Sequence, residues 1–451
     1  MSTPLQPLAR NLRQFPELHP PLDAQSALAE AYRCLFCFDA PCTAACPTHI
    51  DVPRFIKKIA GANTRGAALA ILDANILGLS CARVCPVDVL CEGACVMQRY
   101  NQKPIEIGRL QRFAMDRFYD SGARPGSAAI AAERPGRVAC IGGGPASLAC
   151  AAELRRHGHR VTIFHSRALP GGLNTYGVAE YKLRPADSLR EVEFVRSLGV
   201  EFQHAEIGAA VPVEQLERDY DLLFIGIGLG GMEKLGVPGE DLPGVIDALR
   251  FIERYKTADD FQVSGTVVVI GGGNTAIDAA NAAKRLGARE VHLVYRRTER
   301  QMPAFSFEYH HSKVEGVRFH WLAQPVEILA REGRAAGVRF IEMRLAGTDE
   351  SGRRKAVPVP ASYFELACDL VIPALGQSRF LGSLCESRGI RLAGRSIAVD
   401  RPTGQTSNPR YYAGGDCVNG GREVVDAVAD GKRAALAMAR QMERQAEVTH
   451  G

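Results

Sequence analysis

Eight of the chain's 13 cysteines fall in two tight groups between positions 34 and 95, and the rest of the sequence is organised around them. The first group reads Cys34-x2-Cys37-x4-Cys42-x3-Cys46-Pro47, the second Cys81-x3-Cys85-Pro86-x4-Cys91-x3-Cys95. Each contains a Cys-Pro pair. A thiolate run closing on Cys-Pro is the signature of [4Fe-4S] binding, in which the fourth cysteine ligates the other cluster. Two clusters that share ligands across the groups are the first expectation. Tetrahedral zinc is the competing reading, because short cysteine spacings also suit structural zinc sites. Zinc ribbons, however, separate two clean C-x2-C knuckles, and neither the Cys-Pro pairs nor the x4 and x3 gaps belong there. A disulfide framework is the third reading, and an odd cysteine count in a long chain without a secretory signal fits it poorly.

At 451 residues the chain is too long for one ordinary core, and about three domains are expected. Hydrophobic residues make up 46% and charged residues 23%, the balance of a soluble globular protein. A net charge of +5 without a Lys/Arg block makes no case for a nucleic-acid partner. No uninterrupted apolar run reaches about 18 residues, so no membrane span is expected. Positions 1–21 lack the apolar stretch and small-residue cleavage site of a signal peptide. A cytoplasmic location is the simplest expectation, and it keeps the thiolates reduced.

In chain order, residues 1–25 read as a surface arm rich in Pro and polar side chains. A helical pattern from Ala24 delivers the chain to Cys34, and 52–59 and 67–76 carry apolar residues at helical spacing. These helices look too short for a large core, so the clusters themselves are expected to act as one. After Pro104 a helix runs to about Tyr119, and the Gly-, Ala- and Pro-rich run 121–136 is the clearest linker.

Beyond the linker the pattern becomes strand, glycine turn, helix, strand. Positions 137–141 read as a buried strand, followed by Gly142-Gly143-Gly144-Pro145-Ala146-Ser147, a helix to His157 and a strand over 160–164. This is a dinucleotide fingerprint in its proper setting: Gly142 makes the tight turn, and Gly144 lets a pyrophosphate approach the helix N-terminus. Two positions depart from the pattern. Ser147 replaces the third glycine, and His165 stands where an acid would bond a ribose hydroxyl. An imidazole can still give or take one hydrogen bond there, and a surface histidine at a strand end is the plainer alternative.

A second copy begins with a β-branched strand over 266–270, then Gly271-Gly272-Gly273-Asn274-Thr275-Ala276, a helix through Leu286 and a strand over 290–295. It ends in Arg296-Arg297, with Arg300 close behind; cations there suit a 2′-phosphate and favour NADP(H) over NAD(H), the alternative being a solvated basic turn. Near the C-terminus, 408–416 form a strand running into Gly415-Asp416, then a helix over about 424–439. An Asp at such a strand end can hold a polyol hydroxyl of a flavin, while the following helix N-terminus faces the electron-rich ring. Because this segment follows the second nucleotide unit, the first is expected to be split. The expected fold class is therefore α/β: an N-terminal α-helical iron-sulfur domain followed by two Rossmann-like nucleotide-binding domains, the FAD domain split by the NAD(P)H domain. The expected boundaries are 1–132 for the iron-sulfur domain with its linker, 133–233 and 378–451 for the two parts of the FAD domain, and 234–377 for the NAD(P)H domain.

Taken together, the two cysteine groups, GGGPAS, GGGNTA with its YRR strand end, and the terminal AGGD resemble the reductase module shared by glutamate synthase small subunits and dihydropyrimidine dehydrogenases. The run Pro104-Ile-Glu-Ile-Gly-Arg-Leu-Gln-Arg-Phe113 is more similar to the latter, where the position of Gln111 supplies an amide ligand to one cluster. The resemblance implies one cluster on Cys34, Cys37, Cys42 and Cys95 and a second on Cys46, Cys85, Cys91 and Gln111. Spacing alone would have recruited Cys81 instead, and a helix-surface amide is the plain reading of Gln111. It implies flavin contacts at Gly142, Gly143, Gly144, Pro145, Ala146, Ser147, His165, Leu173, Lys182, Gly415, Asp416 and Val424. Nicotinamide nucleotide contacts are implied at Gly272, Gly273, Asn274, Thr275, Arg296, Arg297, Arg300, Ala374, Leu375 and Gly376. The other cysteines, Cys140, Cys150, Cys368, Cys385 and Cys417, read as small core residues.

Electron counting orders the cofactors. Nicotinamide gives two electrons, an iron-sulfur cluster takes one at a time, and FAD handles both. No catalytic triad or carboxylate pair is needed, and His310-His311 reads as part of a surface helix. The chain is thus expected to be an oxidoreductase subunit passing electrons from NAD(P)H through FAD and two [4Fe-4S] clusters. With no third nucleotide fold before Gly451, the resemblance implies a separate FMN- and iron-sulfur-bearing subunit, in a hetero-oligomer, that reduces uracil or thymine. A glutamate synthase small subunit is the alternative enzyme, and a scaffold whose second nucleotide fold is vestigial is the non-catalytic one.

Overall fold

A computed structural model describes residues 15–123, 130–258, 261–348, 352–378 and 383–450. The first 14 residues of the expected arm and positions 124–129 of the expected linker lie outside the described residues. The chain divides into two compact units, one holding Tyr176–Tyr181 and Gly230–Ser378, the other Glu17–Thr175, Lys182–Leu229 and Arg379–Gly451.

The second of these begins with helices α1 (Ala24–Tyr32), α2 (Pro41–Ala44), α3 (Val52–Ala60), α4 (Thr64–Ala74), α5 (Gly78–Val84) and α6 (Ile107–Asp120). Three starts are written locally: Asp23, Asp51 and Asn63 accept from the N–H of Ser26, Arg54 and Gly66 at 2.7, 3.1 and 2.8 Å. Along α3, Val52, Phe55, Ile56 and Ile59 are buried while Lys57 and Lys58 fill the last turn, so one stripe faces inward. The expectation that clusters would replace a protein core is corrected here. Phe55, Ile56, Leu77, Leu110, Met115 and Phe118 are all nearly or fully buried and share one apolar core with Leu148, Val161 and Val192. Helices too short to close a core alone do so against the following β-α-β unit, and each large side chain buried is worth about 1.5–3 kcal/mol.

That unit comprises β1 (Arg137–Ile141), α7 (Pro145–Arg156), β2 (Arg160–His165), α8 (Leu173–Tyr176), α9 (Pro185–Ser197), β3 (Glu201–His204), α10 (Val213–Asp219) and β4 (Leu222–Ile225). The strands are parallel in the order β4-β1-β2-β3, with Val138 opposite both Val161 and Leu222. The chain leaves β1 toward β2 on one side and returns as β4 on the other, which creates a switch point at the C-terminal end of β1.

The other unit contains α11 (Ala248–Thr257), β5 (Thr266–Ile270), α12 (Asn274–Arg285), β6 (Glu290–Tyr295), α13 (Ser306–Val314), β7 (Arg318–Trp321), β8 (Ala323–Arg331), β9 (Arg334–Thr348), β10 (Arg354–Ala367) and β11 (Leu370–Pro373). Its parallel sheet runs β11-β5-β6-β7, and Val267, Val268 and Val269 at its centre are fully buried, as a strand covered on both faces requires. A separate antiparallel sheet, β10-β9-β8, had no counterpart in the sequence reading. His310 lies exposed on α13, the surface helix expected for it.

The chain then returns through α14 (Ser383–Ser387), β12 (Leu392–Ala393), β13 (Ser396–Ile397), β14 (Tyr411–Ala413), α15 (Asp416–Asn419) and α16 (Val424–His450). β14 pairs in parallel with β4, Tyr411 opposite Leu223, so the C-terminal segment completes the first sheet and that Rossmann-like fold is split. α16 outruns its expected end at Ala439 because Met438 and Met442 continue its buried stripe. Among the described residues no single helix is long and apolar enough to cross a membrane.

Candidate functional site

The cysteines sort into two sets that cross the sequence groups. Cys34, Cys37, Cys42 and Cys95 line one small cavity with Leu35, Pro41 and Met97. Burial, with the neighbouring Cys34 and Cys95 thiols adding to it, pushes Cys42 up to about 11. In the second set, a hydrogen bond that the Cys85 thiol gives to Cys81 and then burial hold Cys85 well above its ordinary value, and Cys91 and Cys46 add to the shift. All 13 cysteines are free thiols. Thiols crowded into low dielectric resist ionising until a cation joins them, so the donor chemistry fits an iron-sulfur cluster in each set and no disulfide. Two groups compete for the second set's fourth place. Cys81, buried in α5, accepts from Asn75 Nδ2 at 3.2 Å, whereas Gln111, buried in α6, donates its Nε2 to the Gly78 carbonyl at 2.8 Å.

The first glycine fingerprint lies at the switch point of the β14-β4-β1-β2-β3 sheet. Gly142 has φ +104° and passes so close to β4 that a Cβ would lie 2.3 Å from the Gly226 carbonyl oxygen. Gly143 and Gly144 continue the turn, Pro145 opens α7, and Ala146 and Ser147 are buried in its first turn. The Ser147 hydroxyl has no partner among the described residues. Gly171 donates its N–H to the Gly143 carbonyl at 2.7 Å, which lays the Gly171-Gly172 turn, and Leu173 after it, against the fingerprint. At the end of β2, His165 Nδ1 lies 2.7 Å from the Arg167 carbonyl and its ring stacks on His204 at 5.5 Å. Burial pulls its pKa below the usual imidazole value. A carbonyl can only accept, so Nδ1 carries the proton and Nε2 is left as an acceptor, the role a carboxylate would otherwise fill. Asp416 opens α15 and accepts from the Arg422 N–H at 3.3 Å; burial, with Asp430 and Asp426 nearby, raises its carboxyl. Gly415 donates to Asp430 at 3.1 Å, Val424 begins α16, and Lys182 stands half-buried just before α9. A tight glycine turn at the switch point, a buried unpartnered hydroxyl and two helix starts fit a dinucleotide such as FAD.

The second fingerprint lies at the C-terminal end of β5. A Cβ added at Gly273 would meet nothing within 4 Å, leaving open space where a phosphate could approach the start of α12. Gly272 packs on the Tyr295 ring, Thr275 is half-buried, and Asn274 Oδ1 accepts from the Phe305 N–H at 3.0 Å. Ala374 donates to the Ile270 carbonyl at 2.7 Å, which sets the 374–376 turn beside the fingerprint with Leu375 and Gly376 exposed. The three arginines do not converge. Arg296 and Arg300 are exposed and have no ion-pair partner among the described residues. Arg297 is buried, and its Nε donates to the Arg354 carbonyl at 2.9 Å. A groove of about 980 Å³ in the same unit, lined by Lys234, Arg250 and Arg334 among others, includes no fingerprint residue. Sequence reasoning missed one buried group, Glu191 on α9, for which no spacing signal exists.

The family model "dihydropyrimidine dehydrogenase domain II, 4Fe-4S cluster" matches residues 11–123, and "pyridine nucleotide-disulphide oxidoreductase" matches residues 136–431. The chain is 38% identical to the beta subunit of an NADP(+)-dependent formate dehydrogenase from Moorella thermoacetica, over 88% of this chain but only 59% of that one. It is 36% identical to a glutamate synthase [NADPH] small chain from Halomonas elongata, covering 95% of this chain and 93% of the relative. It is 33% identical to the NAD-dependent dihydropyrimidine dehydrogenase subunit PreT of Escherichia coli, over 95% and 97%. Among solved structures, FprA from Mycobacterium tuberculosis in complex with NADPH superposes with a TM-score of 0.58 at 21% identity, over 70% of this chain and 86% of that one, a likeness of fold.

Proposed function

Because the chain belongs to the pyridine nucleotide-disulphide oxidoreductase family, in the group that includes glutamate synthase small chains and PreT-type subunits, we propose that it is the NADPH-oxidising reductase subunit of a dihydropyrimidine dehydrogenase. In this reading it feeds single electrons to a partner subunit that carries FMN and iron-sulfur centres and reduces uracil or thymine to the 5,6-dihydro form. The observation that carries it is the buried Gln111 amide, whose Nε2 donates to the Gly78 carbonyl at the start of the helix that holds Cys81 and ends on Cys85.

Bound FAD and clusters would supply the change from a two-electron donor to one-electron carriers. The chain's own residues bind and orient. Gly272, Gly273, Asn274 and Thr275 would admit the nicotinamide dinucleotide's pyrophosphate, the 374–376 turn would bound its other end, and Arg296 and Arg300 would pair its 2′-phosphate. Gly142 to Ser147 would admit the flavin pyrophosphate, with Leu173 and Lys182 flanking it. His165 Nε2 would accept from a ribose hydroxyl, Asp416 would hold a polyol hydroxyl, and the start of α16 at Val424 would face the ring. Cys34, Cys37, Cys42 and Cys95 would hold one cluster, and Cys46, Cys85, Cys91 and Gln111 the other.

A glutamate synthase small-chain role is the second reading, favoured by the 36% identity to such a chain against 33% to PreT. Purification of the native complex followed by NADPH oxidation assays separates them. Oxidation that depends on uracil supports the first reading; oxidation only with glutamine plus 2-oxoglutarate replaces it. Loss of the flavin's visible absorbance on anaerobic mixing with NADPH distinguishes either enzyme from a scaffold.

A further inference from the structure

Glu191 sits on α9, in the flavin half of its unit, yet its carboxylate serves the helical half. It is 1% exposed. Its Oε1 accepts from the N–H of Leu79 at 2.8 Å and of Ser80 at 3.0 Å, and its Oε2 accepts from the Ser80 hydroxyl. These amides open α5, whose own N-cap, Leu77, offers no side-chain hydrogen bond. Gly78, in the same first turn, presents the carbonyl that orients the Gln111 amide, and α5 ends with Cys85 as its C-cap. One carboxylate from the flavin half therefore grips the start of the helix that carries or orients two proposed donors to the second cluster. The distance along α5 from Ser80 to Cys85 is about 7.5 Å at 1.5 Å per residue.

Among the described residues no cation forms an ion pair with Glu191, although the Arg83 charge acts on it from nearby. Arg83, on α5, is engaged by Asp116 of α6 at 2.6 Å and by Asp187 of α9 at 3.5 Å. Tyr119, on α6, is half-buried, its buried hydroxyl has no partner among the described residues, and Arg190 lies over its ring at 5.3 Å. On α7, Arg155 is occupied at the far end of α9 by the Leu198 carbonyl. Burial pushes the Glu191 carboxyl up to about 7, against the Ser80 and Leu79 donors and Arg83, which pull it down. The group is thus poised to change protonation when a nearby charge changes.

We propose that Glu191 is a positioning residue through which the flavin half sets the geometry and electron affinity of the second cluster, anchoring α5 and taking up one solvent proton as that cluster accepts one electron. The proposal rests on the iron-sulfur reading above. The electron comes from reduced pyridine nucleotide, the proton from water, and the net local charge is unchanged by the pair of transfers.

The test uses the full chain, purified anaerobically with its iron, sulfide and flavin. Midpoint potentials are followed by EPR between pH 6 and 8, and the second cluster's signal is assigned with Cys85→Ser. In the unaltered chain that midpoint should fall with rising pH, by up to about 59 mV for each tenfold change in proton concentration. Glu191→Gln keeps an acceptor for both amides and should retain iron and sulfide, but its midpoint should not move with pH. The other cluster's midpoint should be untouched. Glu191→Ala should lose about half the iron and the second signal. A Glu191→Gln variant with the parent's midpoint and slope overturns the inference. Should that variant fail to fold, Ser80→Ala removes one donor and should move the break in the pH dependence upward; an unmoved break overturns the inference equally. A parent chain without acid-labile sulfide defeats the iron-sulfur reading instead.

Discussion

At the scale of single residues, the arginines after β6 show how identity and role separate. The sequence displays Arg296, Arg297 and Arg300 as one basic cluster, but Arg297 turns inward to the Arg354 carbonyl, while the other two are exposed and have no ion-pair partner among the described residues. A charge-assisted hydrogen bond is worth about 1.5–3 kcal/mol, so Arg296→Ala should raise the KM for NADPH roughly ten- to a hundredfold while leaving NADH use nearly unchanged. Arg297→Ala should instead lower thermal stability with no change in the NADPH/NADH ratio. Steady-state kinetics with both nucleotides, beside a melting curve, checks both; equal losses with the two nucleotides would mark Arg296 as part of a solvated turn. His165 is the second case. Its neutral ring offers Nε2 as an acceptor, and burial holds its pKa below the usual 6.5, so acceptance persists at neutral pH and is lost as pH falls through that lowered value. Flavin retained after gel filtration should therefore drop in mildly acidic buffer, and His165→Gln should remove that pH dependence. Retention in the parent that is flat from pH 5 to 8 would exclude the role.

At the scale of elements, the helical half did not behave as its short helices suggested. Two of them were legible from apolar spacing over 52–59 and 67–76, whereas the caps at Asp23, Asp51 and Asn63, each acting within three residues of itself, were seen only in the structure. Their core was not legible, because Phe55, Leu110 and Phe118 join an apolar cluster with Leu148 and Val192, far along the chain. A metal-dependent fold and a packed one respond differently to chelation. Stripping iron should leave most of the far-UV helical signal in place, and Phe55→Ala in the metal-free chain should cost about 3–5 kcal/mol in urea unfolding. Collapse of helicity on chelation, with no added effect of the substitution, would restore the clusters to the role of core. The antiparallel β10-β9-β8 sheet was not read at all, since its longest ladder, Arg334–Thr348, breaks strict alternation: Gly337 and Val338, and Phe340 and Ile341, are buried as adjacent pairs.

At the scale of the whole molecule, the split nucleotide fold makes a strong demand. β14 pairs with β4, and Asp416 and α16 follow it, so a chain ending before Tyr411 lacks the strand, the carboxylate and the helix start together. Such a truncation should abolish flavin binding, while the compact unit holding Gly230–Ser378 should still retain NADPH in equilibrium dialysis. Flavin retained at the parent's level would refute the assignment of this segment to the flavin site. The sequence alone determined which chemistry is on offer: two thiol groups closing on Cys-Pro and two glycine turns between strand and helix. Those are statements about residue types at short spacing, and short spacing constrains backbone geometry directly. Only the tertiary structure decided who meets whom. It turned Arg297 away from solvent and brought Glu191 to an amide 112 positions earlier. Those pairings come from how buried surfaces fit across the whole chain, and no local repeat encodes that fit.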